Sequence, residues 1–256
     1  MKTDMLLQRA KALKLSGIIA HWEELSDVIS IDTLIAWEEK ERTHKSLERR
    51  LHSARIGMFK PLSEFNWDWP KKIDQEAIFE LMNLQFIKES TNVILCGSNG
   101  AGKSTIAKNI ANHAVINGFT ALFITASQML NDLASIDGDN ALRRKFQFYE
   151  RPEVLIIDEI GYLSYSNRHA DLLFEIISRR YQKKPVIITT NKTFSEWNDI
   201  FPNAACCVSL IDRLIHRSEI ISIEAESFRL KEAKEQSIQR NEARQLKRKT
   251  KQKQAH

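Results

Sequence analysis

A glycine-rich turn leads into a lysine and two hydroxyls: Gly97-Ser98-Asn99-Gly100-Ala101-Gly102-Lys103-Ser104-Thr105. Glycines at that spacing let the backbone curl until its N–H groups face phosphate oxygens. Lys103 would reach the β- and γ-phosphates of a nucleoside triphosphate, and the Ser104 hydroxyl would ligate Mg²⁺. The whole stretch from Gly97 to Thr105 is therefore a candidate nucleotide contact. Val154-Leu-Ile-Ile-Asp158-Glu159 is an apolar run ending on two carboxylates. Asp158 would hold Mg²⁺ through water, so Ser104 and Asp158 form the candidate metal pair. Glu159 is placed to polarise an attacking water, which is hydrolase rather than kinase chemistry. A third apolar run, Ile187-Ile-Thr-Thr-Asn191, ends on an amide that could touch both the γ-phosphate and that water. Arg213 and Arg217 close the stretch Ser209-Leu-Ile-Asp-Arg-Leu-Ile-His-Arg. Either could neutralise charge developing on a γ-phosphate, an arginine often supplied by a neighbouring subunit. Either could instead pair with Asp212 or Glu219.

Chemistry of this kind needs elements that hold its residues together. Val93 to Cys96 reads as a buried strand before the glycine-rich turn, and Thr105 to Val115 as a helix after it, ending near Asn117-Gly118. Strand patterns recur at Phe119–Thr125, Val154–Ile157, Val186–Thr190 and Glu219–Ile223. Between them lie a short helix capped by Ser127, a basic-faced helix over Asp139–Tyr149 with Arg143, Arg144 and Lys145, and a helix from about Asn167 to Lys183. Helical stretches also cover Ser195–Ile200 and Ala204–Arg217. Strands alternating with helices predict an α/β fold, a five-stranded parallel sheet with helices on both faces. In such a sheet the Asn191 strand can lie between the other two motif strands.

Upstream, Ile73, Ala77, Leu81 and Leu84 mark one more helix. Residues 57–70 carry two prolines and break periodicity, which predicts a linker. Its aromatics, Phe59, Phe65, Trp67 and Trp69, could pack near a nucleotide base, but sealing the domain edge is the favoured reading. Residues 1–60 read as an all-α region. Leu6, Ala10 and Leu13 share a face, with a stop at Ser16-Gly17. A second helix over Ile18–Ser30 carries Trp22 and Leu25. Asp32 would cap a third, running from Thr33 towards Arg55 with an apolar stripe of Leu47, Leu51 and Ala54. Arg42, Lys45, Arg49 and His52 are spaced 3, 4 and 3 apart, which gathers them on the opposite face. That face could grip DNA phosphates or simply keep the helix solvated. From Arg244 to His256 the chain is basic, with no acid and a single large apolar residue, Leu246, which predicts disorder. The tail would add nonspecific DNA affinity or solubility.

With 256 residues, 43% hydrophobic and 28% charged, the chain suits one α/β domain plus a smaller appendage. No apolar run approaches the roughly 20 residues that span a bilayer, and no secretory signal is visible. Three cysteines without metal-ligand spacing fit a reducing cytoplasm. A net charge of +5 permits nucleic-acid binding without requiring it.

The order GSNGAGKST, LIIDEIGYL, SRRYQKKPVIITTNKTFSEW, LIDRLIHRS and ESFRLKE resembles the IstB-type transposition helper ATPases, relatives of the DnaC/DnaI helicase loaders in the AAA+ superfamily. LKLSGIIAHWEEL, RRLHSARI and FNWDW extend the resemblance to about residues 5–232. It implies a P-loop NTPase of AAA+ type at 73–232, a small helical DNA- or partner-binding region at 1–60, a linker at 61–72 and a basic tail at 233–256. It implies an ATP- and Mg²⁺-dependent ATPase, stimulated by DNA, that oligomerises with ATP on duplex DNA. Its partner would be a transposase encoded by the same element, and its task target selection and stimulation of insertion. By motif, Gly97–Ser104 matches Walker A, Asp158-Glu159 Walker B, Asn191 sensor 1, and Arg213 the trans-acting arginine finger. Arg229 in Ser-Phe-Arg matches a further family arginine. Lys103-Ser-Thr departs from the Lys-Thr-His of many relatives, yet serine keeps the metal-ligating hydroxyl. The chain ends soon after Arg229, too early for a C-terminal helical lid domain, so a complete pocket is expected to need the adjacent subunit. The alternative is a DnaC/DnaI-like helicase loader, although GYLSYSNRHADLLFEIISRRYQKK fits the transposition branch better. A small-molecule P-loop kinase would need an acceptor pocket, and Glu159 and the Asp-Arg-Leu helix argue against it.

Overall fold

Five short runs rich in β-branched residues form one sheet: β1 (Asn92–Gly97), β2 (Ala121–Thr125), β3 (Val154–Ile160), β4 (Val186–Thr190) and β5 (Ser218–Ile223). The computed structural model describes residues 7–8, 10–24, 31–162, 165–201, 204–228, 230–233, 237 and 240. Arg229, Leu6, Leu25 and the basic tail from Arg244 lie outside the described residues. All pairings are parallel, and the strand order is β2-β3-β4-β1-β5. The strand bearing Asn191 thus lies between those bearing the glycine-rich turn and the carboxylate pair, as the sequence allowed. Parallel strands covered on both faces read as continuous apolar runs, and β4 is buried at every position.

Alternate strand residues feed two apolar layers. Ile94, Leu155 and Ile157 join Met129, Leu133, Leu173 and Leu210 on one face. Val93, Leu95 and Ile156 join Ile78, Ile106, Ile110 and Ala114 on the other. The helices supplying these layers are best taken in chain order. At the N-terminus α1 (Ser16–Ala20) lies against α2 (Ile31–Ala54). The expected stop at Ser16-Gly17 falls earlier, at Lys14 with φ 56. Gly17 lies inside α1, where a Cβ would stand 2.1 Å from the Trp37 backbone, so glycine is required by close helix approach. His21 stacks on Trp37 at 4.6 Å and the Gly17 N–H donates to Glu38 at 2.7 Å.

The end of α2 is part of the core: Ala54 is fully buried, and the Arg50 Nε donates to the Val115 carbonyl at 3.2 Å. Leu51, expected in the apolar stripe, is instead 40% exposed, because α2 meets the core at Leu47 and Ala54. The helix expected over 73–84 divides into α3 (Gln75–Leu81), capped by Asp74, and α4 (Gln85–Lys88), with Leu84 at φ 57 between them. Next comes α5 (Lys103–Ile116), directly after the glycine-rich turn. Then α6 (Ala126–Ala134) is capped by Thr125, whose hydroxyl accepts from Gln128 at 3.2 Å; Ser127, the expected cap, lies within the helix. α7 (Asp139–Glu150), α8 (Asn167–Arg180) and α9 (Ala204–Ile215) complete the layers. No helix among the described residues is long and apolar enough to cross a membrane.

Candidate functional site

The glycine-rich turn joins β1 to α5 with Gly100 at φ 78 and Gly102 at φ 96, conformations that L side chains rarely adopt. A Cβ on Gly102 would stand 2.5 Å from the Phe65 ring, and one on Gly100 2.5 Å from the Ser227 hydroxyl. No side chain caps α5, so its first-turn N–H groups and its positive dipole end are offered to an anion. Lys103 is 4% exposed, and its ammonium donates to the carbonyls of Gly97 at 2.7 Å and Ser98 at 2.8 Å. Its stem therefore lies across the loop that would cradle the phosphates.

At the second residue of α5, the Ser104 hydroxyl donates to Asp158 Oδ1 at 2.8 Å. The Thr189 hydroxyl donates to the same oxygen at 2.5 Å, and the Glu159 N–H donates to the Thr189 hydroxyl at 2.9 Å. Glu159 has φ 64, at a register shift in the β3–β4 ladder. The Asn191 amide oxygen, just past β4, is buried without a hydrogen-bond partner among the described residues. It sits close to Gly161, 3.5 Å from where a Cβ there would stand. An unpartnered buried acceptor costs about 1–3 kcal/mol, and native structures retain such groups where a ligand or water satisfies them. Near the end of β1, burial pushes the Cys96 thiol above its usual pKa, against the pull of Lys103.

Gly100–Thr105 and Glu159 border a cleft of about 240 Å³, whereas Gly97–Asn99, Asp158 and Asn191 do not line it. Its floor is the run Gly100–Thr105, and Glu159 and Tyr162 stand on one side. Lys60, Glu64, Phe65, Asn66 and Trp69 from the linker and Phe228 and Glu232 from the C-terminal side form the rest. Of the linker aromatics, Phe59, Phe65 and Trp67 pack against the core, as the sealing reading expects, while Phe65 and Trp69 also line the cleft. The linker and the 224–232 segment hold each other. Lys72 and Glu224 exchange backbone hydrogen bonds at 3.2 and 2.9 Å, the Trp69 indole donates to the Glu226 carbonyl at 2.9 Å, and Lys60 meets Glu232 at 2.5 Å. The Phe228 N–H donates to the Gly100 carbonyl at 3.2 Å, which ties this clasp to the glycine-rich turn.

Ser104 and Asp158 offer two hard oxygen donors in contact, and no group of three or more His, Cys, Asp or Glu residues among those described could hold a metal alone. That donor set fits Mg²⁺, which takes one or two protein oxygens and completes its shell with phosphate and water. Arg213 does not border the cleft. Its guanidinium lies 4.4 Å over the Phe174 ring and donates to the Ser178 hydroxyl. Arg217 is exposed at the end of the same segment. Arg42, Lys45, Arg49 and His52 are all exposed on α2, and none of them borders the cleft. Arg42 pairs with Glu38 at 2.7 Å and Lys45 with Glu41 at 3.2 Å, while the Arg49 Nε donates to the Lys45 carbonyl at 3.2 Å.

A parallel sheet of this order, with a glycine-rich loop between β1 and a helix and a carboxylate pair on β3, defines a P-loop ATP-binding domain of AAA+ type. The chain belongs to the family of IstB-like ATP binding proteins, whose family model matches residues 5–236, bearing out the resemblance in its motifs. It is 36% identical over 197 residues to the insertion sequence IS21 putative ATP-binding protein of Pseudomonas aeruginosa, covering 77% of this chain and 74% of that one. It is 34% identical over 199 residues to the insertion sequence IS5376 putative ATP-binding protein of Geobacillus stearothermophilus, covering 78% and 79%. The crystal structure of DnaI shares the fold at TM-score 0.53 and 18% identity, over 64% of this chain and 90% of that one. The replication initiator DnaA bound to AMPPCP and single-stranded DNA does so at TM-score 0.52 and 19% identity, over 65% and 50%.

Sequence reasoning passed over Thr189 and Phe228. A threonine pair ending an otherwise Val/Ile strand was the available signal for the first. Nothing local marks Phe228, which reaches the cleft only because the 224–232 segment returns to the linker.

Proposed function

We propose that this protein is a transposition helper that hydrolyses ATP and, in its ATP-bound form, assembles on duplex DNA beside the transposase of its own insertion element. Target selection and stimulation of insertion would follow from that assembly, in the cytoplasm. The observation that carries the hydrolytic part is the contact of Ser104 with Asp158, next in sequence to Glu159, with Ser104 and Glu159 both bordering the cleft. In this reading, Lys103 leaves the Gly97 and Ser98 carbonyls for the β- and γ-phosphates, and the first-turn N–H groups of α5 bind phosphate oxygens. Mg²⁺, held through Ser104 and Asp158, would supply neutralising charge to the phosphates. Glu159 orients and polarises the attacking water, and the unsatisfied Asn191 oxygen receives a hydrogen bond from that water. Phe65, Trp69 and Phe228 offer aromatic surface to the base.

Arg213 faces away from its own cleft, which supports a role in the site of a neighbouring copy. A mixture of Arg213→Ala and Lys103→Ala proteins tests this, since each alone lacks one half of every site. If the two halves come from different copies, a 1:1 mixture regains about a quarter of wild-type turnover, because one random interface in four joins an intact lysine to an intact arginine. No recovery at any ratio rules out the shared site.

The DNA part rests on the exposed cations Arg42, Lys45, Arg49 and His52 of α2. The Arg42 and Lys45 side chains are 66% and 50% exposed, and ion pairs at the surface hold by only about 0–1 kcal/mol, so both cations can exchange their glutamates for phosphates. The relatives named above are insertion-sequence proteins, which favours transposition over helicase loading. The deciding experiment measures ATP turnover and particle size with and without ATP and duplex DNA. Turnover stimulated by duplex DNA, with larger particles only when ATP and DNA are both present, is expected. Turnover indifferent to DNA, or capture of a replicative helicase in place of a transposase, would overturn the reading.

A further inference from the structure

The β3–β4 ladder carries a device that the established motifs do not account for. Ile157 pairs with Ile188 and Ile160 with Thr190, so two residues of β3, Asp158 and Glu159, stand opposite the single residue Thr189 of β4. Two residues against one is a bulge, and it takes the Glu159 N–H out of the ladder. Glu159 then adopts φ 64, a conformation uncommon for a side chain of its size. Something must catch the displaced N–H, since a buried backbone donor is almost never left unpaired.

Thr189 catches it. Its hydroxyl accepts from the Glu159 N–H at 2.9 Å and donates its own proton to Asp158 Oδ1 at 2.5 Å. A hydroxyl has one proton to give, so these two bonds fix its direction and, with it, the direction of both neighbours. Thr189 is fully buried, in a strand that is otherwise Val186, Ile187 and Ile188 on its N-terminal side. Valine has the same shape and would suit that apolar setting, so packing gives no reason for a hydroxyl there. The reason is the pair of polar groups it joins.

We infer that Thr189 is a positioning residue for ATP hydrolysis: its hydroxyl sets the Asp158 carboxylate for the metal and locks the Glu159 backbone in the bulge that aims the Glu159 side chain into the cleft. This rests on the reading of Asp158 and Glu159 as the metal-holding and water-polarising carboxylates. It adds that β4 acts on the reaction twice, through Thr189 beneath the carboxylates and through Asn191 two residues on.

The test uses full-length protein with Thr189→Val, Thr189→Ala and Thr189→Ser, read by ATP turnover, by binding of a fluorescent ATP analogue across a Mg²⁺ titration, and by thermal unfolding. Val and Ala are expected to lower kcat by about 10–100-fold and to raise the Mg²⁺ midpoint about tenfold, the range for losing a partner of a metal-holding carboxylate. Analogue affinity in EDTA is expected to stay unchanged, and Ser is expected to keep both kcat and the midpoint. Should Val fail to fold, the comparison of Ala with Ser decides the same question. Wild-type kcat and midpoint in the folded variants lacking the hydroxyl, or a Ser variant that falls as far as they do, overturns the inference. A wild-type protein that binds Mg²⁺ and ATP without turnover removes the hydrolytic reading itself. Wild-type turnover, stalled by Glu159→Gln but indifferent to Thr189→Val, removes only the role of Thr189.

Discussion

Glu159→Gln should slow ATP turnover by about 100-fold or more while leaving nucleotide affinity nearly unchanged, the range for removing a positioned general base. The separation of the two effects follows from geometry. The groups expected to bind nucleotide, Lys103, Ser104 and the α5 N-terminus, belong to the loop and the helix after it, whereas Glu159 reaches the cleft from β3. Glutamine keeps the size of the side chain and can occupy the same bulge, because the Thr189 contact is to the backbone N–H. What it loses is the charge that draws a proton from water. If ATP holds the assembled state, this variant should also accumulate large particles on duplex DNA. Single-turnover kinetics and sizing by light scattering read both outcomes, and a variant that turns over ATP at the wild-type rate would strip Glu159 of its role.

Arg180→Met should destabilise the fold by at least about 3 kcal/mol, the cost of breaking a buried charged network from one side. Arg180 is 1% exposed at the end of α8. Its guanidinium donates to the carbonyls of Tyr149, Glu150, Pro152, Glu153 and Pro185, at 2.9 to 3.1 Å. One side chain therefore closes the end of α7, the turn into β3 and the start of β4. Burial pulls its pKa down to about 10, still well above neutrality, so the charge is kept and its desolvation is a constant cost across the working range. Replacing a buried ion pair by apolar residues can be neutral when both partners go. Here the acceptors are backbone carbonyls, which no substitution removes, so the unpaired acceptors decide the outcome. Lysine should not rescue it, since one ammonium has three donors on a single atom and cannot reproduce a planar fork. Thermal unfolding should fall by roughly 6–12 °C. A melting temperature within about 2 °C of wild type would mean that water satisfies the carbonyls.

Both residues show where sequence reasoning reaches and where it stops. The strand–turn–helix around Lys103 was legible because its chemistry lies in contiguous residues: glycines where φ is positive, a lysine, a hydroxyl, and apolar runs on either side. The strands were legible to within a few residues for the same reason, since those buried on both faces declare themselves as apolar runs, while the edge strand β5, exposed at Glu219, Ile220 and Ser222, showed itself by alternation. The pairing of Asp158 with Ser104 could be expected from the motif, and the two side chains do meet. The caps and breaks were less certain. Thr125 takes the cap expected of Ser127, and Lys14 ends the helix expected to stop at Gly17, because several neighbouring residues are competent and tertiary contacts choose among them.

Arg180 read as one more base near the end of a helix, and Thr189 as part of a strand end. The threonine pair ending an apolar strand was the one local signal for Thr189 and Arg180 had none, because four of the five carbonyls that Arg180 binds and both groups that Thr189 joins lie about 30 residues away in sequence. Those partners are brought close only by the strand order β2-β3-β4-β1-β5, which seats β4 between the loop strand and the carboxylate strand. The same holds for the cleft, whose aromatic walls come from the linker at Phe65 and Trp69 and from Phe228 near the other end of the fold. The amino-acid order thus specified a phosphate loop, a carboxylate pair and the strands that bear them, since each depends on neighbours along the chain. The bulge that turns Glu159, the hydroxyl that holds it and the packing of Arg213 on Phe174 and Ser178 came from contacts between distant segments, where distance along the chain says little about distance in space.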